Sequence, residues 1–170
     1  MRWSELESET CPIARAMSVI GDRWTVLILR DCLRGVSRFD EFHRRLGCSR
    51  AIISDRLAHL VERGVLAREV YEAHPPRHDY RLTDMGRGLS PVLMTLSNWA
   101  ETYAPRAGGH RVVRRHKTCG QNFQPVVHCS ACGEAIAPGE VEHVDPVKPP
   151  AAAGRPAPAG ASRPRPSPGR

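Results

Sequence analysis

Between Phe39 and Leu82 the apolar positions change period, and the changes spell out an order of elements. Phe39, Phe42 and Leu46 recur at the three- and four-residue spacing of one helix face, and Gly47-Cys48 follows where such a helix should stop. Ser49 is a good N-cap for a second helix, whose stripe is Ile53, Leu57, Leu60 and Val61 and whose free face carries Arg50, Ser54, Asp55 and His59. Arg63-Gly64 closes it, with a cation at the negative end of the helix dipole and a glycine able to turn left-handed. Leu66 to Tyr71 and Arg77 to Leu82 then read as two strands around His74-Pro75-Pro76, a hairpin that would form a wing.

The flanks extend the pattern. Pro12 suits the first turn of a helix with Ile13, Ala16, Met17 and Ile20 on one face, ended by Gly21, and Trp24 to Cys32 is apolar on nearly all sides, as a central helix should be. After the wing, Thr83-Asp84 can start a helix with the stripe Leu89, Val92, Leu93, Leu96, Trp99, Ala100 and Tyr103. Pro91 interrupts it, and a mid-helix proline costs about 3 kcal/mol, so a kink or restart is expected there, with 92–103 as the strong part. The stripe is wider than a domain of this size needs, and pairing of two copies is its natural use. The predicted class is mainly α with a small β-wing (α+β).

Composition divides the chain into three. Residues 1–107 form the winged helix-turn-helix domain; 108–146 have too few large apolar residues to fold unaided and need a staple; 147–170, rich in Pro, Ala, Gly and Arg, are expected to be disordered. The net charge of +7 invites a nucleic-acid reading, but its distribution weakens it. Residues 1–107 carry 16 Lys and Arg against 14 Asp and Glu, whereas 147–170 carry 5 against none. DNA binding by the folded part therefore rests on where its arginines project. No signal-peptide pattern and no membrane-length apolar run is seen, so a cytoplasmic protein without membrane association is expected.

A recognition helix needs short polar or positive groups on its first turns, so that base edges come within reach without a backbone clash. Ser49, Arg50, Ala51, Ser54 and Asp55 hold those positions, with Arg56 reaching toward the flanking backbone. Arg38 before the supporting helix and Arg77 and His78 on the hairpin lie where phosphates or a minor groove would be. Double-stranded DNA is the expected partner. The alternative is a winged helix that docks protein through its wing.

Cys11-Pro12-Ile13, Gly21-Asp22-Arg23-Trp24, Leu27-Ile28-Leu29, Arg38-Phe39, Ser49, Leu57, Leu60, Gly64, Pro75-Pro76, Tyr80-Arg81-Leu82-Thr83, Gly86 and Trp99 resemble, in order and spacing, the HxlR family of bacterial transcription regulators. The resemblance covers about Cys11 to Tyr103, and Arg23 stands where the family commonly has lysine. It implies a homodimer with paired terminal helices, related in architecture to MarR proteins, acting more as repressor than activator. It also implies a small-molecule or redox effector, since some members sense oxidants or electrophiles through a cysteine near Cys11. A thiol at a helix entrance is chemically suited to that, the helix dipole favouring its thiolate.

The last motif is chemical. His116-Lys117-Thr118-Cys119-Gly120 and Cys129-Ser130-Ala131-Cys132-Gly133 repeat one pattern of ligand, two spacers, cysteine and glycine. Two spacers let both side chains of a knuckle face one ion, and the glycine permits the tight turn behind it. One structural zinc held by His116, Cys119, Cys129 and Cys132 in a zinc-ribbon-like module is expected, with His128 as reserve ligand. Four protein ligands leave no open position for catalysis, and no nucleophile or phosphate-loop motif appears elsewhere, so an enzyme is not expected.

Overall fold

A computed structural model describes residues 10–108 and 112–143. The segment 147–170, expected to be disordered, lies outside the described residues. The chain divides into two compact units, Met1–Val126 and Val127–Arg170.

In the first unit four helices precede a hairpin. α1, Pro12–Ile20, starts with its proline in the first turn, where no amide donor is required, and Gly21 closes it by donating to Met17 O. α2, Arg23–Leu33, is capped by the Asp22 carboxylate, which accepts from the amides of Trp24 at 2.9 Å and Thr25 at 3.1 Å. α3, Phe39–Leu46, and α4, Arg50–Glu62, follow as the period predicts, and Gly64 takes φ +70° after α4. Ile28 and Leu29 of α2, Phe42 of α3 and Ile53, Leu57 and Leu60 of α4 are fully buried together with Val65. Three helices thus bury their stripes against one another, and α4 keeps its N-terminal end outside.

The central helix holds a surprise for an apolar reading. Asp31 is fully buried on α2, with Arg30 at 3.0 Å and Arg45 of α3 at 3.1 Å from its carboxylate. Burial works to raise its pKa, but the hydrogen bonds and charges of the two guanidiniums outweigh that and hold it below the usual carboxylate value. The pair ties α2 to α3 through a charge that apolar patterning does not register.

The wing is longer than expected. β1 runs Leu66–Ala73 and β2 runs Pro76–Leu82, antiparallel, with His74-Pro75 as the turn and a cis bond between those two residues. Pairing runs from Leu66 opposite Leu82 to Val70 opposite His78, then resumes with Glu72 opposite Arg77, leaving Tyr71 as a bulged residue. The segment before α3 joins the hairpin as well: Tyr80 N donates to Ser37 O at 2.8 Å and Arg38 bridges to Asp79.

Pro91 produces a restart. α5, Asp84–Arg87, ends before α6, Ser90–Tyr103, begins with the proline in its first turn, where it costs little. Leu89 and Leu93 pack on the core, whereas Val92, Leu96, Trp99 and Tyr103 are exposed. The α1 face also departs from expectation: Ile20 is buried, but Ile13 is 71% exposed, Met17 is exposed and Ala16 faces solvent. No helix among the described residues is long and apolar enough to cross a membrane.

From residue 112 onward the backbone makes turns and two short strands, β3 Arg114–Arg115 and β4 Asn122–Phe123, paired antiparallel. Within the first unit, Val112 N donates to Glu101 Oε1 at 3.0 Å and Arg114 to Ser97 Oγ at 2.7 Å, fixing the start of this hairpin to α6.

Candidate nucleic-acid interface

The N-terminal end of α4 stands beside the wing and α3, around an open cleft of about 690 Å³. Ser49 caps α4 by accepting from Ile52 N at 3.3 Å, and His43 Nδ1 donates to Cys48 O at 2.9 Å, bracing the turn between the two helices. Ala51, Ser54 and Asp55 are exposed on the first turns of α4. That surface is free of the core, as the amphipathic pattern requires.

Arg38, Arg50, Arg77 and His78 all line the cleft. Arg50 is paired with Asp40 at 3.0 Å, and its guanidinium lies 4.7 Å from the Phe39 ring centre. Arg38 lies 4.7 Å over the Tyr71 ring and 3.7 Å from Asp79. Arg77 is 3.2 Å from Glu72. A hydrogen bond with Tyr71 and then the Glu72 charge raise the Arg77 pKa further. Asp79 is buried where it accepts from Ser37 Oγ at 3.1 Å and from Arg81 at 3.1 Å. Three separated pieces of sequence converge here: Arg38 with the first turns of α3, the start of α4 and the hairpin.

Two residues of the expected α4 surface are elsewhere. Arg56 pairs with Asp22 at 3.3 Å and lies 3.6 Å from Asp55, in a cleft beside Met17, Thr25 and His59. His59, expected on the free face, is half-buried, and its Nε2 donates to Val19 O at 3.1 Å. Both belong to a second stripe, Ile52, Arg56, His59 and Arg63, that lies partly buried. Three of those four are polar, so apolar periodicity does not see the stripe.

Arg44 and Tyr71 also line the cleft and were not singled out from sequence. For Arg44 the signal existed: it follows Asp40 on α3 at the i,i+4 spacing of one helix face. Tyr71 had none, because its position under Arg38 follows from the bulge. On a regular strand its side chain would alternate with its neighbours.

The cysteines fall into distinct settings. Cys11 is exposed at the N-cap of α1. Cys32 is buried beside Asp31, and desolvation followed by that charge pushes its thiol up to about 12, so it stays protonated. Cys48 is buried in the turn between α3 and α4.

The two knuckles lie in different units, and each has its own geometry. In the first, His116 N donates to Gln121 O and Gly120 N to His116 O, both at 2.8 Å. In the second, Cys129 N donates to Glu134 O and Gly133 N to Cys129 O, again both at 2.8 Å. Gly120 and Gly133 take φ of +72° and +78°, a region that disfavours any side chain. His116 Nδ1 lies 3.3 Å from Cys119 Sγ, close to the roughly 3.5 Å edge of a tetrahedral zinc site. Backbone N–H groups of Cys132 and Ala131 lower the Cys129 pKa. His128 donates from Nδ1 to Gly133 O at 2.9 Å. Among the described residues, no three His, Cys, Asp or Glu side chains are placed as one metal set.

The family match lies within the first unit. The family model described as HxlR-like helix-turn-helix matches residues 19–108. An HTH-type transcriptional regulator of Mycobacterium tuberculosis is 44% identical over 124 residues, 73% of this chain and 78% of the relative. YdeP, an HTH-type transcriptional regulator of Bacillus subtilis, is 33% identical over 61% of this chain and 82% of its own. Among solved structures, PA1607, described as a transcription factor, superposes with a TM-score of 0.73 at 34% identity, covering 82% of this chain and 98% of that one. The reduced form of the redox regulator HypR superposes with a TM-score of 0.52 at 30% identity, over 55% and 94% of the two chains. The chain belongs to the HxlR-like helix-turn-helix family.

Proposed function

We propose that this protein is a DNA-binding transcriptional regulator, acting as a homodimeric repressor, that reads duplex DNA with α4 and flanks it with the wing. The observation that carries the reading is the convergence of Arg38, Arg50 and Arg77 around the exposed start of α4. Short residues at Ala51 and Ser54 let the helix approach base edges, while Arg38 and Arg77 lie to the side, where backbone phosphates run. The exposed row Ile13, Met17, Val92, Leu96, Trp99 and Tyr103 supports the dimer, since α1 and α6 also frame an apolar groove of about 550 Å³. Two copies would place their recognition helices on half-sites roughly 34 Å apart.

The test is selection of bound duplexes from a random pool by the purified protein. Arg50→Ala should relax base choice at one position per half-site, at about 1–3 kcal/mol. Arg77→Ala should weaken binding uniformly and lower the salt slope by about 1. If neither changes binding, this surface is not the interface. The protein-docking alternative would gain only if duplex binding persisted solely through residues 147–170.

We also propose that His116, Cys119, Cys129 and Cys132 hold one structural zinc. The sequence repeat and the matching turns support this. Metal content of protein purified without added zinc should be about one ion per chain and fall in Cys119→Ser and Cys132→Ser. Loss in His128→Ala but not His116→Ala would reassign the fourth ligand. Cys11 is proposed as the thiol that meets an oxidant or electrophile, on its exposure at the start of α1. If peroxide alters DNA affinity equally in wild type and Cys11→Ser, that role fails.

A further inference from the structure

The arginines of the interface do not stand alone, and their partners are acidic. Arg38, Arg50 and Arg77 lie within 3.7, 3.0 and 3.2 Å of Asp79, Asp40 and Glu72 respectively. A surface built only to attract phosphate has no use for such neighbours, since each carboxylate repels the DNA backbone. Asp79 is explained by its buried hydrogen bonds with Ser37 and Arg81. Asp40 is placed differently: its side chain is 73% exposed in the first turn of α3, where a carboxylate also suits the helix dipole, and it reaches across to Arg50 at 3.0 Å.

Arg50 is held on two sides, by the carboxylate and by the Phe39 ring. A free arginine at the start of a helix samples many rotamers and meets the nearest phosphate first. A clamped one offers its donors in one direction.

Resting on the reading of α4 as the recognition helix, we propose that Asp40 is a specificity-determining residue. It holds Arg50 on Phe39 and repels phosphate, so that Arg50 is kept for a base edge. The carboxylate acts through Arg50; it is a positioning residue and does not itself contact a base in this scheme. Removing its charge should release Arg50 to the backbone. Binding to unrelated DNA would then tighten while discrimination falls.

The experiment uses the full chain and two probes: a duplex selected from a random pool by the wild-type protein, and an unrelated duplex of equal length. Asp40→Asn should bind the unrelated duplex several-fold more tightly, with a salt slope steeper by about 0.9 for one added phosphate contact. The ratio of affinities should drop by about tenfold, and Asp40→Glu should restore part of it. Arg50→Ala should abolish the effect of Asp40→Asn. If Asp40→Asn leaves both affinities and the slope unchanged, or weakens both probes equally, the proposal is overturned. If the wild-type protein selects no sequence from the pool, the recognition-helix reading itself fails, which is a separate result. Thermal unfolding of the variant distinguishes loss of fold from loss of discrimination.

Discussion

The two stretches on either side of residues 109–111 are held together in different ways. Residues 10–108 fold around Phe42, Ile28, Leu29, Ile53, Leu57 and Leu60, each without solvent exposure. Residues 112–143 contain no buried residue among those described, and Phe123, Val126, Val127 and Val141 are exposed. The first stretch has its stability in packed side chains. The second has local backbone turns, repeated almost atom for atom, and little apolar burial to hold them. Turn geometry alone does not offset chain entropy of about 1–2 kcal/mol per ordered residue. A bound ion is the ingredient that would make the second stretch comparable to the first.

The sharpest way to break this contrast is to test the proposed zinc. Chelation should abolish amide protection across residues 112–143 while leaving the unfolding transition of the winged-helix core in place, because structural zinc contributes on the order of 10 kcal/mol to small sites. Unchanged protection in hydrogen exchange would leave the turns standing by themselves. Next in size, the same substitution should behave differently in the two stretches. Phe42→Ala should cost about 3–5 kcal/mol in urea unfolding, whereas Phe123→Ala should cost under about 1 kcal/mol.

A smaller effect sharpens the account of the core. Asp31 has its pKa depressed by Arg30 and Arg45, so its contribution is present above the unfolded carboxyl value near 3.9 and lost as pH falls through the lower folded value. Asp31→Asn should therefore destabilise by about 2 kcal/mol at neutral pH and narrow toward zero in acid. That figure is below the range for fully buried pairs because both guanidiniums remain 39% exposed. Urea titrations at pH 6 and below about pH 4 would read it. Smallest of all, Ser49→Ala should cost about 1 kcal/mol by loosening the start of α4.

Apart from the α1 face, the helices of the fold were legible where burial is one-sided. The stripes of α3 and α4, the stop at Gly47, the left-handed Gly64 and the restart at Pro91 follow from local rules and were readable without knowing what packs where. Features fixed by two distant segments were not. His59 and Arg56 looked solvated because they are polar, yet α1 and the start of α2 lie against that side of α4. Asp31 vanished into an apolar helix because its partner Arg45 sits fourteen residues later. The candidate cleft was partly legible: Arg38, Arg50 and Arg77, which line it, could be named, but their acidic partners Asp40 and Glu72 could not be assigned from spacing.

The bulge at Tyr71 has a mechanical consequence for the wing. A regular two-stranded hairpin can slide by whole residues, turning its inner face outward with each odd step. Here the ladder changes register at one place only, between Val70 and Glu72, and the displaced ring is occupied by Arg38 from the segment ahead of α3. Any slip would move the bulge away from that arginine and expose Leu66 and Tyr80 at the stem. The odd residue therefore pins the register of the hairpin, and with it the length of wing that extends past the Arg38 contact.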